Sequence, residues 1–471
     1  MSIILMFQHF VDRERELEFL EERYSSGKPE LLVIYGRRRI GKTALLMRFT
    51  RNKPHLYFLA AEKPFRDSVR ELKELFADYL NDNLFRLADV GDLETLFREF
   101  FQRKGSERVV LIIDEFPVLI EAYRPVVSVL QRLWDTHLSK RRDLVMVLCG
   151  SSIGMMETDV LGYRSPLYGR RTGQWMLGEM DFFDIGGFFP TYSVEDLVKV
   201  YSVVGGVPGY LASFSGEKSF TENLVENVFS KGGYLYEEAE ILLRQELRKP
   251  ANYFAILRAI AAGKETFGKI VDETGLDKSL VSKYLSVLQN LRIVERELPA
   301  LTSAKAKTRM KKGRFVITDN YFRFWFRFVY PNRGVLESGE LDTFMLRFTP
   351  EFNTYLGEAF EDICRKYILR RLLKESFTEV GRWWHKGEEI DIVARNSRLI
   401  VAEAKWSNLS AEDAQIILDR LEIKAQKIKQ AKKKHYVLLA RKIENKNKLR
   451  DTHHSAYDLE DVAKLIKRSP Y

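Results

Sequence analysis

Residues 31–50 read LLVIYGRRRIGKTALLMRFT, and this stretch decides the fold. An apolar run with no alternation, LLVIY, describes a strand buried on both faces, as in a parallel sheet covered by helices. It leads straight into Gly36-Arg37-Arg38-Arg39-Ile40-Gly41-Lys42-Thr43, a complete GxxxxGK[ST] pattern, and then into a helical run. The glycines let backbone N–H groups curl around phosphate oxygens, and the helix N-terminus adds positive potential. Lys42 is placed to reach the β and γ phosphates, and the Thr43 hydroxyl to serve Mg²⁺. Residues Gly36 to Thr43 are therefore expected to hold ATP. Arg37, Arg38 and Arg39 fill the variable positions, where they add positive field or simply face solvent.

The same logic extends outward. HLYFLA (55–60), VVLIID (109–114) and LVMVLC (144–149) repeat the apolar run between helical patterns, which predicts a doubly covered parallel α/β sheet. The run VVLIID ends in Asp114 and is followed by Glu115, about 70 residues after the phosphate loop. Asp114 is expected to hold Mg²⁺ through water and Glu115 to act as general base on the attacking water. Residues 191–245 turn helical, interrupted by GGVPGY at 205–210, and read as a lid.

Residues 251–298 spell three short helices and a strand, a winged helix-turn-helix. Gly275 supplies the tight turn and Asp277 is placed to cap the third helix. Lys278, Ser279, Ser282 and Lys283 would then lie on the exposed start of the recognition helix, as groove insertion requires. A winged helix also serves as an interdomain or protein-binding module, and that alternative stands open. The basic stretch SAKAKTRMKKGR (303–314) is expected to form an exposed wing or loop. NYFRFWFRFVYP (320–331) could offer stacking rings to nucleic acid, but its aromatics recur at helical spacing, which predicts a helix filling a core. The Lys-rich run KIKQAKKKHYV (427–437) reads as a solvated helix end.

Composition bounds the rest. The chain of 471 residues has room for about three domains. Lys plus Arg (76) exceed Asp plus Glu (66), which suits a polyanionic partner. Cys149 and Cys364 cannot form a disulfide framework or a zinc cluster, so a reducing, cytoplasmic setting is expected. No apolar run reaches the roughly 18 residues of a membrane span.

FVDREREL (10–17), the GxxxxGKT and DE sites, LVMVLCGSS (144–152) and PLYGRRTGQ (166–174) together resemble the archaeal P-loop ATPases of the AAA+/STAND group. The resemblance covers about 1–245. It implies that Ser151 or Ser152 senses the γ-phosphate, that Arg170 or Arg171 stabilises transferred charge, and that Gly206 and Pro208 lie near the nucleotide. A departure is the lack of the usual lid arginine. A finger acting in trans would need an oligomer. Met6 precedes the family-like start, so Met1–Leu5 are expected to be an optional leader set by start-site choice.

A further resemblance lies at WWHKGEEIDIVARNSRLIVAEAKW (383–406), which is similar to the D-x(n)-ExK signature of PD-(D/E)xK nucleases and to the DUF234 domain of these ATPases. It implies that Asp391 and Glu403 bind Mg²⁺ on a scissile phosphate and that Lys405 orients or deprotonates water. Glu358 resembles the accessory acid of such folds. His385 could assist, though a lone loop histidine is more often an ordinary polar residue. The resulting division is an ATPase domain (1–190), a helical lid (191–245), a winged helix-turn-helix (246–318), a helical connector (319–350) and a restriction-endonuclease-like domain (351–471). Function is expected to be Mg²⁺-dependent ATP hydrolysis acting on or regulated by nucleic acid, with double-stranded DNA the expected partner. The alternative is a STAND-type nucleotide switch with a protein partner and a silent nuclease-like module.

Overall fold

Five strands, β1 (Glu30–Tyr35), β2 (His55–Leu59), β3 (Val109–Asp114), β4 (Leu144–Gly150) and β5 (Gly173–Met176), form one all-parallel sheet in the order β2-β3-β4-β1-β5. Every residue of β1, β3 and β4 is buried, which is why these segments read as unbroken apolar runs. The helices Phe65–Leu80 and Leu93–Arg103 cover the sheet with Val69, Leu72 and Phe76 and with Leu96, Phe97 and Phe100, each set on one helical stripe. In the computed structural model, residues 10–247, 249–303, 305, 313–428 and 433–466 are described. Chain contacts divide it into two units, Met1–Glu179 with Val207–Gly209, and Met180–Gly206 with Tyr210–Tyr471. The division after the sheet thus falls at Glu179, and the GGVPGY segment is shared between the units.

The second unit begins with helices, among them Val194–Val204, capped by the Ser193 side chain. The helices Ala251–Ala261, Phe267–Thr274 and Lys278–Asn290 follow, with the antiparallel pair β6 (Val294–Glu297) and β7 (Arg314–Ile317). Gly275 ends the second helix in the left-handed region at φ 65°, where a side chain would be strained. Asp277 does stand at the start of the third helix, but its side chain accepts no hydrogen bond from the first turn, so the expected cap is not made. The aromatic segment after Asp319 is helical, and Tyr321, Phe322, Phe324, Trp325, Phe326, Phe328 and Val329 are all buried. Its rings pack on Phe348, Phe352 and Tyr355 of the helix Leu341–Ile363, so it fills a core and offers no stacking surface.

The C-terminal part is a mixed sheet of β8 (Glu379–His385), β9 (Glu388–Arg395), β10 (Leu399–Leu409), β11 (Lys434–Ile443) and β12 (His454–Asp458), in the order β12-β11-β10-β9-β8. β8, β9 and β10 are antiparallel neighbours, whereas β10, β11 and β12 run parallel across the covering helix Ala411–Ala425. Residues Met1–Leu5, most of the basic stretch 303–314 and positions 429–432 of the Lys-rich run lie outside the described residues. Among the described residues, no helix is long and apolar enough to cross a membrane.

Candidate functional sites

The first site lies at the carboxyl ends of β1, β3 and β4, the usual crevice for ligands on an open parallel sheet. Gly36 leaves β1 where any Cβ would meet the Leu177 carbonyl oxygen at 2.5 Å, and Gly41 turns the chain at φ 90° into the helix Lys42–Thr50. Between them the loop is closed by its own lysine. Lys42 Nζ donates to the carbonyls of Gly36 (2.8 Å) and Arg37 (3.0 Å). Burial lowers the Lys42 pKa, opposed by the charges of Glu115 and Asp114. Arg37 faces Glu179 at 3.9 Å, Arg38 is exposed, and the Arg39 carbonyl accepts from the Gly209 amide at 3.0 Å. Pro208 stands against Gly41, so part of GGVPGY does sit on the phosphate loop.

Asp114 gathers the neighbouring groups. Its Oδ2 accepts from Thr43 Oγ1 (2.9 Å) and from Tyr57 Oη (2.7 Å), and its Oδ1 from the Glu115 amide (2.9 Å). Glu115 adopts φ 53°, rare for a residue with a side chain, and its Oε2 accepts from Ser151 Oγ (2.8 Å) and the Ser151 amide (3.3 Å). Thr43, Asp114, Glu115 and Ser151 are thus linked in one hydrogen-bonded cluster. Arg170 is held elsewhere, by a bidentate pair with Asp135 (2.9 and 2.8 Å), and Arg171 lies 5.7 Å from the Tyr168 ring. A threonine hydroxyl beside a buried carboxylate is an oxygen donor set that suits Mg²⁺.

The second site is built on β9 and β10. Asp391 is 8% exposed and Glu403 7%, and Lys405 joins them. Lys405 Nζ donates to Asp391 Oδ2 (3.3 Å) and Glu403 Oε1 (3.0 Å), while the Ala404 amide donates to Asp391 Oδ2 at 3.0 Å. Burial would lower the Lys405 pKa, but the charges of Asp391 and Glu403 outweigh it and push it up. Glu403 Oε2 is buried with no hydrogen-bond partner, an orphaned acceptor that a divalent cation would satisfy. Among the described residues, no group of three or more His, Cys, Asp or Glu is arranged to cage a metal. A cation held there would have these two carboxylates as donors, with water to complete its shell.

Glu358, on the preceding helix, lines the same cavity as Asp391 and Glu403. Its side chain pairs with Arg327 at 3.4 Å and is half exposed. One helical step further, Glu361 feels both Asp391 and Lys405. Burial first, then the Asp391 charge, push its carboxyl up to about 8. Residues three apart share a helix face, and Glu358 and Glu361 line one cavity, so sequence spacing alone did not say which carboxyl lies beside Asp391. Lys424, which donates to Glu403 Oε1 at 3.3 Å, and Tyr57 were also missed. Tyr57 leaves a trace as a polar ring between the apolar Leu56 and Phe58. His385 is exposed at the end of β8 and stacks toward Trp383, with no bond to the acids. Lys278, Ser279, Ser282 and Lys283 are all exposed on the third helix of the winged helix.

Comparisons with known proteins agree with this geometry. Residues 10–214 match the family described as an ATPase domain predominantly from Archaea. The chain is 36% identical over 445 residues to MJECL04, an uncharacterized protein of Methanocaldococcus jannaschii, covering 93% of this chain and 97% of the relative. The chain belongs to this archaeal ATPase family. Residues 325–417 match DUF234, archaeal and bacterial proteins of unknown function, and 254–296 match the bacterial ArsR regulatory family. An uncharacterized ATP-binding protein of the same organism, MJ0423, is 52% identical over 44 residues, 9% of this chain and 75% of that one. The Walker-type ATPase PABY2304 of Pyrococcus abyssi shares the fold with a TM-score of 0.51 at 19% identity, over 67% of this chain and 96% of its own. The protein is a P-loop ATPase with a helix-turn-helix and a separate C-terminal α/β module.

Proposed function

We propose that ATP hydrolysis at the phosphate loop governs a second unit that binds nucleic acid through the winged helix and cuts it at Asp391, Glu403 and Lys405. At the first site Lys42 would leave its loop carbonyls for the β and γ phosphates, and Thr43 and Asp114 would hold Mg²⁺. Glu115, kept in place by Ser151, takes the proton of the attacking water. When bound, Mg²⁺ supplies charge neutralisation between the β and γ phosphates. Arg170 would have to give up Asp135 to reach a phosphate. At the second site Asp391 and Glu403 would hold Mg²⁺, which supplies Lewis-acid polarisation of a phosphodiester. Lys405, kept protonated by both acids, orients the water.

One observation carries the nuclease reading: two buried carboxylates and a lysine converge on one point while Glu403 keeps an acceptor uncompensated. Leaving such an acceptor bare in a purely structural ion pair would cost about 1–3 kcal/mol. The test is incubation of the full chain with Mg²⁺ and labelled DNA. Wild type should yield fragments that Asp391→Ala and Lys405→Ala do not, while all three hydrolyse ATP alike. Intact DNA in every lane, with ATP turned over, rejects the nuclease role.

The switch reading has an observation of its own. Arg314 of β7 makes a bidentate pair with Glu389 of β9 (2.6 and 2.9 Å) and lies 4.6 Å over the Trp384 ring. Here the winged helix serves as an interdomain brace, which suits a nucleotide switch with a protein partner. Slow turnover that DNA leaves unchanged would favour it.

A further inference from the structure

The nuclease-like acids do not open onto a broad surface. They line a cavity of about 480 Å³ within the second unit. One wall is the C-terminal module, with Asp391, Glu403 and Lys424; the other is the winged helix, with Ile260, Ala261 and Val316. The two walls are fastened together. Besides the Arg314–Glu389 pair, the Ala300 amide donates to the Arg382 carbonyl (2.7 Å), and Arg365 Nη2 to Glu297 Oε1 (3.1 Å).

Resting on the nuclease reading of this site, we propose that the cavity admits nucleic acid as an unpaired strand, one nucleotide at a time, and excludes an intact duplex. A volume of about 480 Å³ is within the range of small-ligand pockets, roughly 300–1,000 Å³. It can enclose a nucleotide, whereas two paired strands bring a second backbone that must lie where the winged helix stands. The chemistry of the walls is divided in the same way. The phosphate belongs beside Asp391 and Glu403, where Mg²⁺ and Lys424 offset its charge. The base then meets the winged-helix wall, where Val316 is partly exposed and Glu265 can accept hydrogen bonds from base amino groups. Extruding a base from a duplex costs a few kcal/mol, and an already single strand avoids that cost.

The experiment uses the full chain and two probes, a labelled single-stranded oligonucleotide and a covalently closed duplex of the same sequence. With Mg²⁺, the single strand should be cut at least tenfold faster than the closed duplex, and Val316→Trp should remove that cutting while ATP hydrolysis continues. A second variant guards against misfolding. Since Cys149 and Cys364 are buried, a thiol reagent should label Val316→Cys selectively, and with Ca²⁺ replacing Mg²⁺ the single strand should slow labelling at least fivefold. The closed duplex should not. Protection without cutting by the wild type would reject the nuclease reading and keep the single-strand cavity. Cutting of the closed duplex as fast as the single strand, or no protection by the single strand, would overturn the inference and leave the nuclease reading standing on its own fragments.

Discussion

The phosphate loop and the Asp391 site use the same ingredients, carboxylates with a lysine, yet hold them differently. At the loop, Lys42 is fixed by carbonyls five and six residues before it, and Asp114 and Glu115 are adjacent at one strand end. At the other site, groups from two strands and two helices meet through side-chain ion pairs, including Glu361, Asp391, Glu403 and Lys424. Backbone geometry organises the first and tertiary packing the second. The first should therefore fail sharply when one residue is changed, and the second should respond to pH and to the packing around it.

The sharpest contrast comes from Lys42→Ala. It removes the charge that meets the phosphates and should lower ATP turnover by about 100-fold or more, read as phosphate release, with the melting temperature nearly unchanged. Glu115→Gln comes next. It should retain ATP binding, measured by a fluorescent nucleotide, and lose about 100-fold in turnover. Equal loss of binding in this variant would mean that Glu115 serves the loop and not the water.

Those two residues were also the most legible in the sequence. A strand, a glycine-bounded loop and a helix are contiguous, so the spacing of Gly36, Gly41, Lys42 and Thr43 already encodes their geometry. The parallel sheet was legible for a related reason, since β1, β3 and β4 are buried on both faces and leave no polar alternation. Asp391, Glu403 and Lys405 could be read as a set from their resemblance to a known signature. Glu361 could not, because only the packed fold brings its helix beside Asp391 and Lys405. The capping role expected of Asp277 failed likewise on a side-chain direction that sequence does not specify. Tyr57 reaches Asp114 from β2, two strand positions before the residue paired with it in register, a relation that exists only once the sheet has formed.

The effect of pH sharpens the comparison further. Glu361 is raised from an ordinary value of 4.5 to about 8, so the folded protein keeps a proton that the unfolded chain has released between those values. Its contribution to stability is complete below about pH 4.5 and is lost as pH rises toward 8. Chemical denaturation should show stability falling over that window by at most about 1.4 kcal/mol per pH unit from this group. Glu361→Gln should flatten the slope, and Mg²⁺ should oppose it by favouring the ionised acids. An unchanged slope would place Glu361 outside the cluster.

The smallest effect is expected at the brace. Arg314→Ala removes a partly exposed bidentate pair and a ring contact, and should cost about 1 kcal/mol in the same denaturation experiment. ATP turnover without DNA should stay at the wild-type level. A loss well above that would mean the winged helix and the C-terminal module fold as one cooperative body.

One assay addresses both halves of a chain proposed to couple a working ATPase to a nucleic-acid-cutting module. ATP turnover by wild type, Lys42→Ala and Asp391→Ala is measured with and without single- and double-stranded DNA, and the same samples are run on a gel. DNA should raise wild-type turnover, Lys42→Ala should abolish turnover, and Asp391→Ala should keep turnover while the DNA stays whole. Turnover indifferent to DNA, with the DNA intact in the wild-type samples, would contradict that coupling and leave a nucleotide switch in its place.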